Sequence, residues 1–149
     1  MTEDMKFLGI DHGSVRIGVA ISDPTGTLAR PLQIVRHSSR LADAITISAL
    51  ASDHDCDAIV VGLPLDSDGS IGPRARSINR FIEELKNQTT LTVIPWDESH
   101  STKYAQENSI DRGEGKKKRQ QAIDDRAAAV ILQDFLDHRC PNSTIKEFP

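Results

Sequence analysis

One run of residues constrains the fold of this chain more than any other. Ala58–Leu63 is apolar and rich in β-branched residues. It lacks the alternation of polar and apolar residues that marks a strand with one solvent-exposed face. A strand of this kind is buried on both faces of its sheet. Other layers must therefore cover the sheet on both sides, so the run predicts an interior strand of an α/β protein.

The residues before this run predict a hairpin. The apolar run Phe7–Ile10 ends at Asp11 and a glycine turn, and a second run, Ile17–Ser22, follows directly. So short a connection predicts two antiparallel strands. A third, weaker strand over Leu28–Val35 contains Pro31, which suits an edge strand or a bulge.

Helices alternate with strands in the rest of the chain. Ser39 stands where an N-cap belongs, and Pro73 suits the first position of a second helix. Thr90–Trp96 is a β-rich run, Thr102–Asn108 predicts a short polar helix, and Ala127–Leu136 predicts an alanine-rich closing helix. Helical spacing relates Leu41, Ala44, Ile45 and Ala49 in the first helix and Ala75, Ile78, Ile82 and Leu85 in the second.

Together these elements predict an α/β fold with a mixed sheet flanked by helices. The N-terminal strands are antiparallel and the later ones parallel. With 149 residues, 38% of them hydrophobic and 27% charged, the chain suits one folded domain over residues 1–149 and is too apolar to be disordered throughout. We expect a core over about residues 6–137 and a polar tail over 138–149.

The charge balance and the lack of targeting signals limit which partners and which location the chain can have. The 22 Asp and Glu residues outnumber the 18 Lys and Arg, so a polyanion has to be held by local charge. Residues 1–6 lack a secretory pattern and no run suits a membrane span, which predicts a cytoplasmic protein without a membrane partner. Cys56 and Cys140 have no metal-ligand spacing, and we expect idle thiols.

Acidic residues in two places differ from ordinary surface acids. Asp11 ends a buried strand, where a carboxylate is costly unless something positive meets it. Glu98, preceded by Asp97, follows the apolar run that ends at Trp96 and has the same setting. Both positions are therefore candidates for chemistry.

A third acidic candidate is the pair at the start of the closing helix. At about 100° per residue, Asp124 and Asp125 fall on either side of the centre of an apolar stripe, so the periodicity does not decide which of them can face the sheet. The ordinary alternative is that both stabilise the positive end of the helix dipole. The stripe consists of Ala128, Ile131, Leu132 and Phe135.

Carboxylates from separate elements that meet at one sheet edge repel one another unless cations neutralise them. Oxygen ligands suit Mg²⁺ or Mn²⁺, and two such ions about 3.5–4 Å apart can activate water and stabilise the leaving oxygen of a phosphodiester. The acids therefore favour metal-dependent hydrolysis without a protein nucleophile.

The order of motifs resembles one family. Leu8–Asp23 is similar to the opening of the YqgF family, also called RuvX-like Holliday junction resolvases. Later blocks match in the same order, so that the resemblance extends from about Lys6 to Leu136. These blocks are Ala29–Leu32, Ile59–Leu65 with Asp68 and Gly69, the Asp97–Glu98 pair, and Ile123–Asp124 followed by Ala127–Gln133.

The resemblance implies an RNase H-like fold and a nuclease dependent on Mg²⁺ or Mn²⁺. It implies maturation of the 5′ end of pre-16S ribosomal RNA, and association with a ribosomal subunit, with resolution of branched DNA as the older alternative. It assigns the catalytic metal site to Asp11, Glu98 and Asp124, and so selects Asp124 over Asp125. Asp97 and Asp125 stay secondary candidates.

Basic residues supply candidates for substrate contact. Arg16 matches a basic position of the family's opening motif, where phosphate contact and a structural salt bridge are equally open. A basic run before Asp124 is either a solvated loop or a clamp on the nucleic-acid backbone, and its position favours the clamp. That run consists of Lys116, Lys117, Lys118 and Arg119.

One motif departs from the family. After its Asp-Glu pair the family usually has Arg-Leu, whereas Ser99 and His100 follow here. If that arginine holds phosphate or orients Glu98, His100 substitutes for it in part or the activity is weaker. The ordinary alternative for His100 is a solvated loop histidine.

Two other classes of protein stay open. ATPases of the actin, hexokinase and heat-shock type open with a similar strand and hairpin, but they need two such domains and 149 residues supply one. A non-catalytic RNA or ribosome-assembly module would keep the fold without cleavage, as the missing arginine and the net charge of −4 suggest. Replacement of Asp11 separates the enzyme from the module.

Overall fold

The computed structural model describes residues 4–65, 71–97 and 126–139. The predicted helix Thr102–Asn108, the basic run and Cys140 lie outside these residues. The final helix, residues 126–139, is called α3. The elements before it are β1 (Phe7–His12), β2 (Arg16–Ser22), β3 (Ala29–Arg36), α1 (Arg40–Asp53), β4 (Ala58–Leu63), α2 (Pro73–Gln88) and β5 (Thr92–Asp97).

Five strands form one mixed sheet in the order β3-β2-β1-β4-β5. The pairs β1–β2 and β2–β3 are antiparallel, whereas β1–β4 and β4–β5 are parallel. This arrangement confirms the predicted mixed sheet and the interior position of β4. The third strand is an edge strand whose register shifts beside Pro31, because Ala20 pairs with Pro31 while Val19 pairs with Gln33.

Helices cover the sheet on both faces and bury two separate cores. The larger core lies between the sheet and α1 with α2, and it contains Leu8 and Ile10 of β1. The smaller core lies between the sheet and α3, and it contains Phe7 of the same strand. We call these sides the α1/α2 face and the α3 face. Because side chains alternate along β1, consecutive residues serve opposite faces.

The two predicted helix starts are confirmed. The Ser39 side chain accepts a hydrogen bond from the backbone N–H of Ala42 at 3.1 Å, as an N-cap does. Pro73 is the first residue of α2. All four apolar positions predicted for α2 are buried, namely Ala75, Ile78, Ile82 and Leu85.

The face that α1 buries differs from its apolar spacing. Leu41 and Ile45 are about half exposed, at 49% and 50%. The buried residues of α1 are instead Asp43, Ala44, Ile47 and Ala51. A buried carboxylate in the first turn rotates the inner face away from the residues that hydrophobicity alone selects.

Two smaller expectations have clear outcomes. Cys56 is a free, buried thiol, and burial raises its pKa to about 11, which agrees with an idle cysteine. Helix α3 continues through residue 139, so the first two residues assigned to the polar tail are helical.

Among the described residues, no helix is long and apolar enough to cross a membrane.

Candidate active site

Asp11 lies at the end of the middle strand and on the α3 face. Phe7 belongs to the α3 core, and a Cβ on Gly9 would lie 2.8 Å from Cβ of Leu132 in α3. Alternation along β1 therefore puts Asp11 on the same face, where it is partly buried. A carboxylate in this setting is energetically costly unless polar or cationic groups lie next to it.

Glycines flank Asp11 on both neighbouring strands. Gly18 of β2 is its direct partner, and Gly62 of β4 follows Val61, the partner of Ile10. The alternate positions of β2 and β4 contribute to the α3 core, so both glycines lie on the face that carries Asp11. The sheet surface beside the carboxylate thus has no side chain from these two positions of the neighbouring strands.

The direction of α3 brings its first turn towards Asp11. The Phe7 and Phe135 rings are 5.3 Å apart, and two residues further along β1 Gly9 faces Leu132. The helix therefore runs antiparallel to β1. Two more strand residues span about 6.6 Å, or roughly four residues of helix. This places the N-terminal end of α3 beside Asp11.

Polar contacts fix α3 in this position. The Gln133 side chain accepts a hydrogen bond from the Ala29 N–H at 2.9 Å and donates one to the Thr27 carbonyl at 2.9 Å. From the other side, Nε1 of Trp96 donates to Asp134 at 2.8 Å. Contacts to β3 and its preceding turn on one side and to β5 on the other hold the helix across the sheet.

Asp97 and Arg16 reach the same edge of the sheet as Asp11. The parallel strands β1, β4 and β5 end there, so the exposed Asp97 lies at this edge. Arg16 begins β2 directly after the β1–β2 turn and is also exposed. The other predicted site residues lie outside the described part of the chain, namely Glu98, His100, Lys116, Lys117, Lys118, Arg119, Asp124 and Asp125.

A cleft of about 380 Å³ opens beside the β1–β2 turn, on the α1/α2 side of the sheet, and His12, Arg16, Arg74, Ser77 and Ile78 are among its lining residues. The Arg74 side chain donates to the His12 carbonyl at 3.3 Å. Two guanidinium groups beside hydroxyl groups suit phosphate oxygens. The sequence analysis missed Arg74, although its place directly after Pro73 at a helix start was the available signal.

The turn that carries Arg16 depends on Gly13. Its N–H donates to the Arg16 carbonyl at 2.9 Å and closes the turn. A Cβ at this position would lie 2.5 Å from the same carbonyl oxygen, so a side chain cannot be accommodated without moving backbone. Gly13 therefore fixes the position of Arg16 relative to Asp11.

Sequence reasoning also missed a cluster on the other face. His12, next to Asp11 in β1, lies with His37 and Asp43 on the α1/α2 face. Burial lowers the pKa of His12, and the nearby Asp43 partly opposes this shift. The apolar spacing of α1 gave no sign that Asp43 is buried.

The sheet order, the helices on both faces and the carboxylate-ended middle strand define an RNase H-like fold. A family model described as "RuvX: Holliday junction resolvase" matches residues 5–138. This chain belongs to the RuvX family, as the resemblance implied.

Relatives from several bacteria agree with this assignment. A protein of Bacillus cereus (strain AH187) is 42% identical over 137 residues, which cover 91% of this chain and 100% of that protein. One of Myxococcus xanthus (strain DK1622) is 39% identical over 140 residues, covering 93% of each. Both carry the name "Putative pre-16S rRNA nuclease".

Solved structures support the fold. Thermus thermophilus RuvC in complex with a Holliday junction substrate aligns with a TM-score of 0.55 and 15% identity, over 91% of this chain and 95% of that one. The fowlpox virus Holliday junction resolvase aligns with a TM-score of 0.54 and 15% identity, over 90% and 99%. At these identities the likeness concerns the fold alone.

Proposed function

We propose that this protein is a nuclease dependent on a divalent metal that matures the 5′ end of pre-16S ribosomal RNA. The observation that carries the proposal is the setting of Asp11. It is a partly buried carboxylate at the end of the middle strand, flanked by Gly18 and Gly62 and close to the first turn of α3. The name of the relatives supports the RNA substrate.

We propose Asp11, Glu98 and Asp124 as the catalytic acids. Ile94 and Trp96 of β5 pack in the α3 core, and continued alternation would bring residue 98 to that face. Asp124 precedes Ala128 by four residues and Asp125 precedes it by three, and both spacings belong to one helix face. The choice of Asp124 therefore rests on the resemblance to the family, and Asp125 is a secondary candidate.

This donor set fits Mg²⁺ or Mn²⁺. Carboxylate oxygens are the ligands that these ions prefer, and the neighbouring strands present glycines, not competing side chains, beside Asp11. The three acids would hold the metal, which when bound supplies Lewis-acid stabilisation and a water nucleophile of lowered pKa. The chain itself supplies the rigid strand end that positions the Asp11 carboxylate.

The arginine-lined cleft has the role of holding substrate. Arg16 and Arg74 lie at the turn that follows Asp11, on the α1/α2 side of the sheet, and we propose that they contact phosphates that flank the scissile bond and so orient the substrate. For Arg16 the proposal is thus phosphate contact, with a structural salt bridge as the alternative. The basic run 116–119 is proposed as a clamp on the RNA backbone, and His100 as a partial substitute for the family's arginine.

Partner and location follow from the substrate. Because the proposed substrate is a precursor of ribosomal RNA, we propose that the protein associates with a ribosomal subunit in the cytoplasm. The net charge of −4 makes general attraction to RNA weak, and contact through the cleft and the basic run is then required.

The experiment compares cleavage of two labelled substrates, a pre-16S rRNA fragment and a four-way DNA junction. Wild type, Asp11→Asn and the matched exposed control Asp53→Asn are assayed with Mg²⁺, Mn²⁺ or chelator. We expect metal-dependent cutting of the RNA, a loss of about 100-fold or more in Asp11→Asn, and no loss in Asp53→Asn. Circular dichroism verifies that all three proteins are folded.

The same assay decides between functions. Junction resolution is the second candidate, favoured by the description of the matching family model. Cutting of the junction alone would replace the RNA proposal with that function. Cutting that survives Asp11→Asn would refute the proposed site, and no cutting of either substrate would favour a binding module.

A further inference from the structure

The α1/α2 face carries two histidines and a buried carboxylate that the proposed nuclease site does not use. His12 is the last residue of β1, His37 follows the end of β3, and Asp43 lies in the first turn of α1. One donor atom from each residue lies within 4.8 Å of the other two. Three separate elements thus bring nitrogen and oxygen donors to one point.

Asp43 is the centre of this cluster. It is 1% exposed, and it is the one Asp or Glu residue that is buried among the residues that the structure describes. One oxygen accepts a hydrogen bond from the Ser38 N–H at 3.0 Å, and the other accepts one from Nδ1 of His37 at 2.5 Å. The backbone contact orients the carboxylate towards the histidines.

The two imidazole rings are also held by packing. The His12 ring lies 4.5 Å from the ring of Phe81 in α2, and its edge approaches His37 at 6.1 Å. A packed ring loses little further freedom when it binds a ligand, so these donors are preorganised.

Solvent reaches the cluster from one side. A cleft of about 320 Å³ is lined by His12 and His37 together with Ser39, Arg40 and Phe81. An ion can therefore enter, although Asp43 is buried. The His37 side chain retains 34% exposure and lines the cleft, whereas the Asp43 side chain is 2% exposed.

We propose that His12, His37 and Asp43 form a binding site for a transition-metal ion of the Zn²⁺ class. Two imidazoles and one carboxylate are a donor set that Zn²⁺ accepts in tetrahedral geometry, with bonds of about 2.0–2.2 Å. Such bonds place neighbouring donor atoms about 3.3 Å apart. His12 must therefore move inwards, and His37 and Asp43 must separate slightly as the ion replaces their hydrogen bond.

Three protein ligands leave one position of a tetrahedral ion open. A water or a small anion completes the shell, and Arg40 at the same cleft favours an anion. The Ser38 N–H, which holds the second oxygen of Asp43, has the orienting role that outer hydrogen bonds have in metal sites.

This site is separate from the proposed nuclease site in position and in chemistry. Asp11 and His12 are neighbours in β1, but they lie on opposite faces of the sheet. The α3 face offers carboxylate oxygens, which suit Mg²⁺ or Mn²⁺, whereas the α1/α2 face offers imidazole nitrogens, which suit Zn²⁺. The test can therefore use Asp11→Asn protein, in which the nuclease site is impaired.

Co²⁺ is the probe, because tetrahedral Co²⁺ with nitrogen ligands has strong visible absorption. It is titrated into metal-free, full-length Asp11→Asn protein, alone and combined with His12→Gln, His37→Gln or the control His138→Gln. His138 contacts Asp134 on α3, away from the cluster. We expect one equivalent bound in Asp11→Asn and His138→Gln, and at least about tenfold weaker binding when His12 or His37 is replaced. Added Zn²⁺ should displace the Co²⁺.

Two results would overturn the inference. One is a folded protein that shows no tetrahedral Co²⁺ spectrum, and the other is a spectrum unchanged by both His12→Gln and His37→Gln. Because binding is measured without any cleavage, its failure leaves the nuclease proposal intact, and the failure of the nuclease proposal leaves this test intact.

Discussion

The two faces of the sheet differ although they share every strand. On the α1/α2 face two helices bury a large core, and two histidines with Asp43 lie at its edge. On the α3 face one helix covers a smaller core, and Asp11 lies at its edge. One strand end thus supplies a polar residue to each face, because Asp11 and His12 are adjacent yet point to opposite faces.

The difference also concerns how each face is supported. Helices α1 and α2 pack against each other as well as on the sheet, whereas α3 packs on the sheet within the described residues. Among the helices of the described residues, α3 alone therefore supports the geometry around Asp11. Equally destabilising substitutions in the two cores should therefore have unequal effects on cleavage at the proposed nuclease site.

The largest expected effect comes from matched deletions in the two cores. Leu132→Ala on α3 and Ile47→Ala on α1 both remove fully buried side chains, and each should lower the free energy of unfolding by about 2–5 kcal/mol in urea titrations. Leu132→Ala should in addition reduce cleavage under folded conditions, since a shift of about 1 Å near the chemistry costs up to roughly 100-fold. Equal cleavage by both variants would break the distinction between the faces.

A smaller effect is expected where the α3 face is tightest. In Gly9→Ala the new Cβ would lie 2.8 Å from Cβ of Leu132, which is not the mobile end of its side chain, so α3 has to shift. Thermal unfolding should report a destabilisation of about 1–3 kcal/mol, the range for overpacked cores. Leu132→Ala should relieve the clash, so the double variant should lose less than the sum of the single losses. Additive losses would contradict the close approach.

The smallest effect concerns the turn on which α3 rests. Gln133 of α3 bonds to Thr27 and Ala29, and the preceding Asp23 organises this turn. Its hydrogen bond from Thr25 and those from backbone N–H groups lower the Asp23 pKa from 3.8 to about 2. The stabilisation is thus fully present above pH 3.8 and is lost as the pH falls through about 2.

Urea unfolding of wild type and Asp23→Asn checks this pH dependence. Wild type should be the more stable at neutral pH, by a small margin because Asp23 is exposed, and the margin should shrink as the carboxyl protonates. A margin that is constant down to pH 3 would show that the ionised carboxylate does not support the turn.

Much of the fold could be predicted from periodicity and turn chemistry. The apolar run Ala58–Leu63 predicted an interior strand, Ser39 and Pro73 predicted helix starts, and Pro31 predicted an edge strand or a bulge. These signals are local, because each residue limits the backbone around itself. The stripe on α3 was equally clear, since Ala128, Ile131, Leu132 and Phe135 are all buried.

The sites were less accessible to such reasoning. Strand alternation indicates that Asp11 and His12 lie on opposite faces, but not which partners each face brings. The burial of Asp43 follows from contacts to Ser38 and His37 rather than from hydrophobicity, and Arg74 joins Arg16 through the packing of α2 on the β1–β2 turn. The Arg74 contact is long-range, and the Asp43 contacts, although only five and six residues apart in sequence, depend on how α1 packs on the sheet, which hydrophobic spacing does not encode.

Anomalous diffraction from crystals soaked in Mn²⁺ tests the central claim most directly. The account predicts a Mn²⁺ peak at the Asp11 carboxylate, on the α3 face, with Glu98 and Asp124 as the further oxygen ligands. The peak should be absent from crystals of Asp11→Asn. A Mn²⁺ peak confined to the α1/α2 face, or none at Asp11 in protein that cleaves RNA with Mn²⁺, would contradict the account.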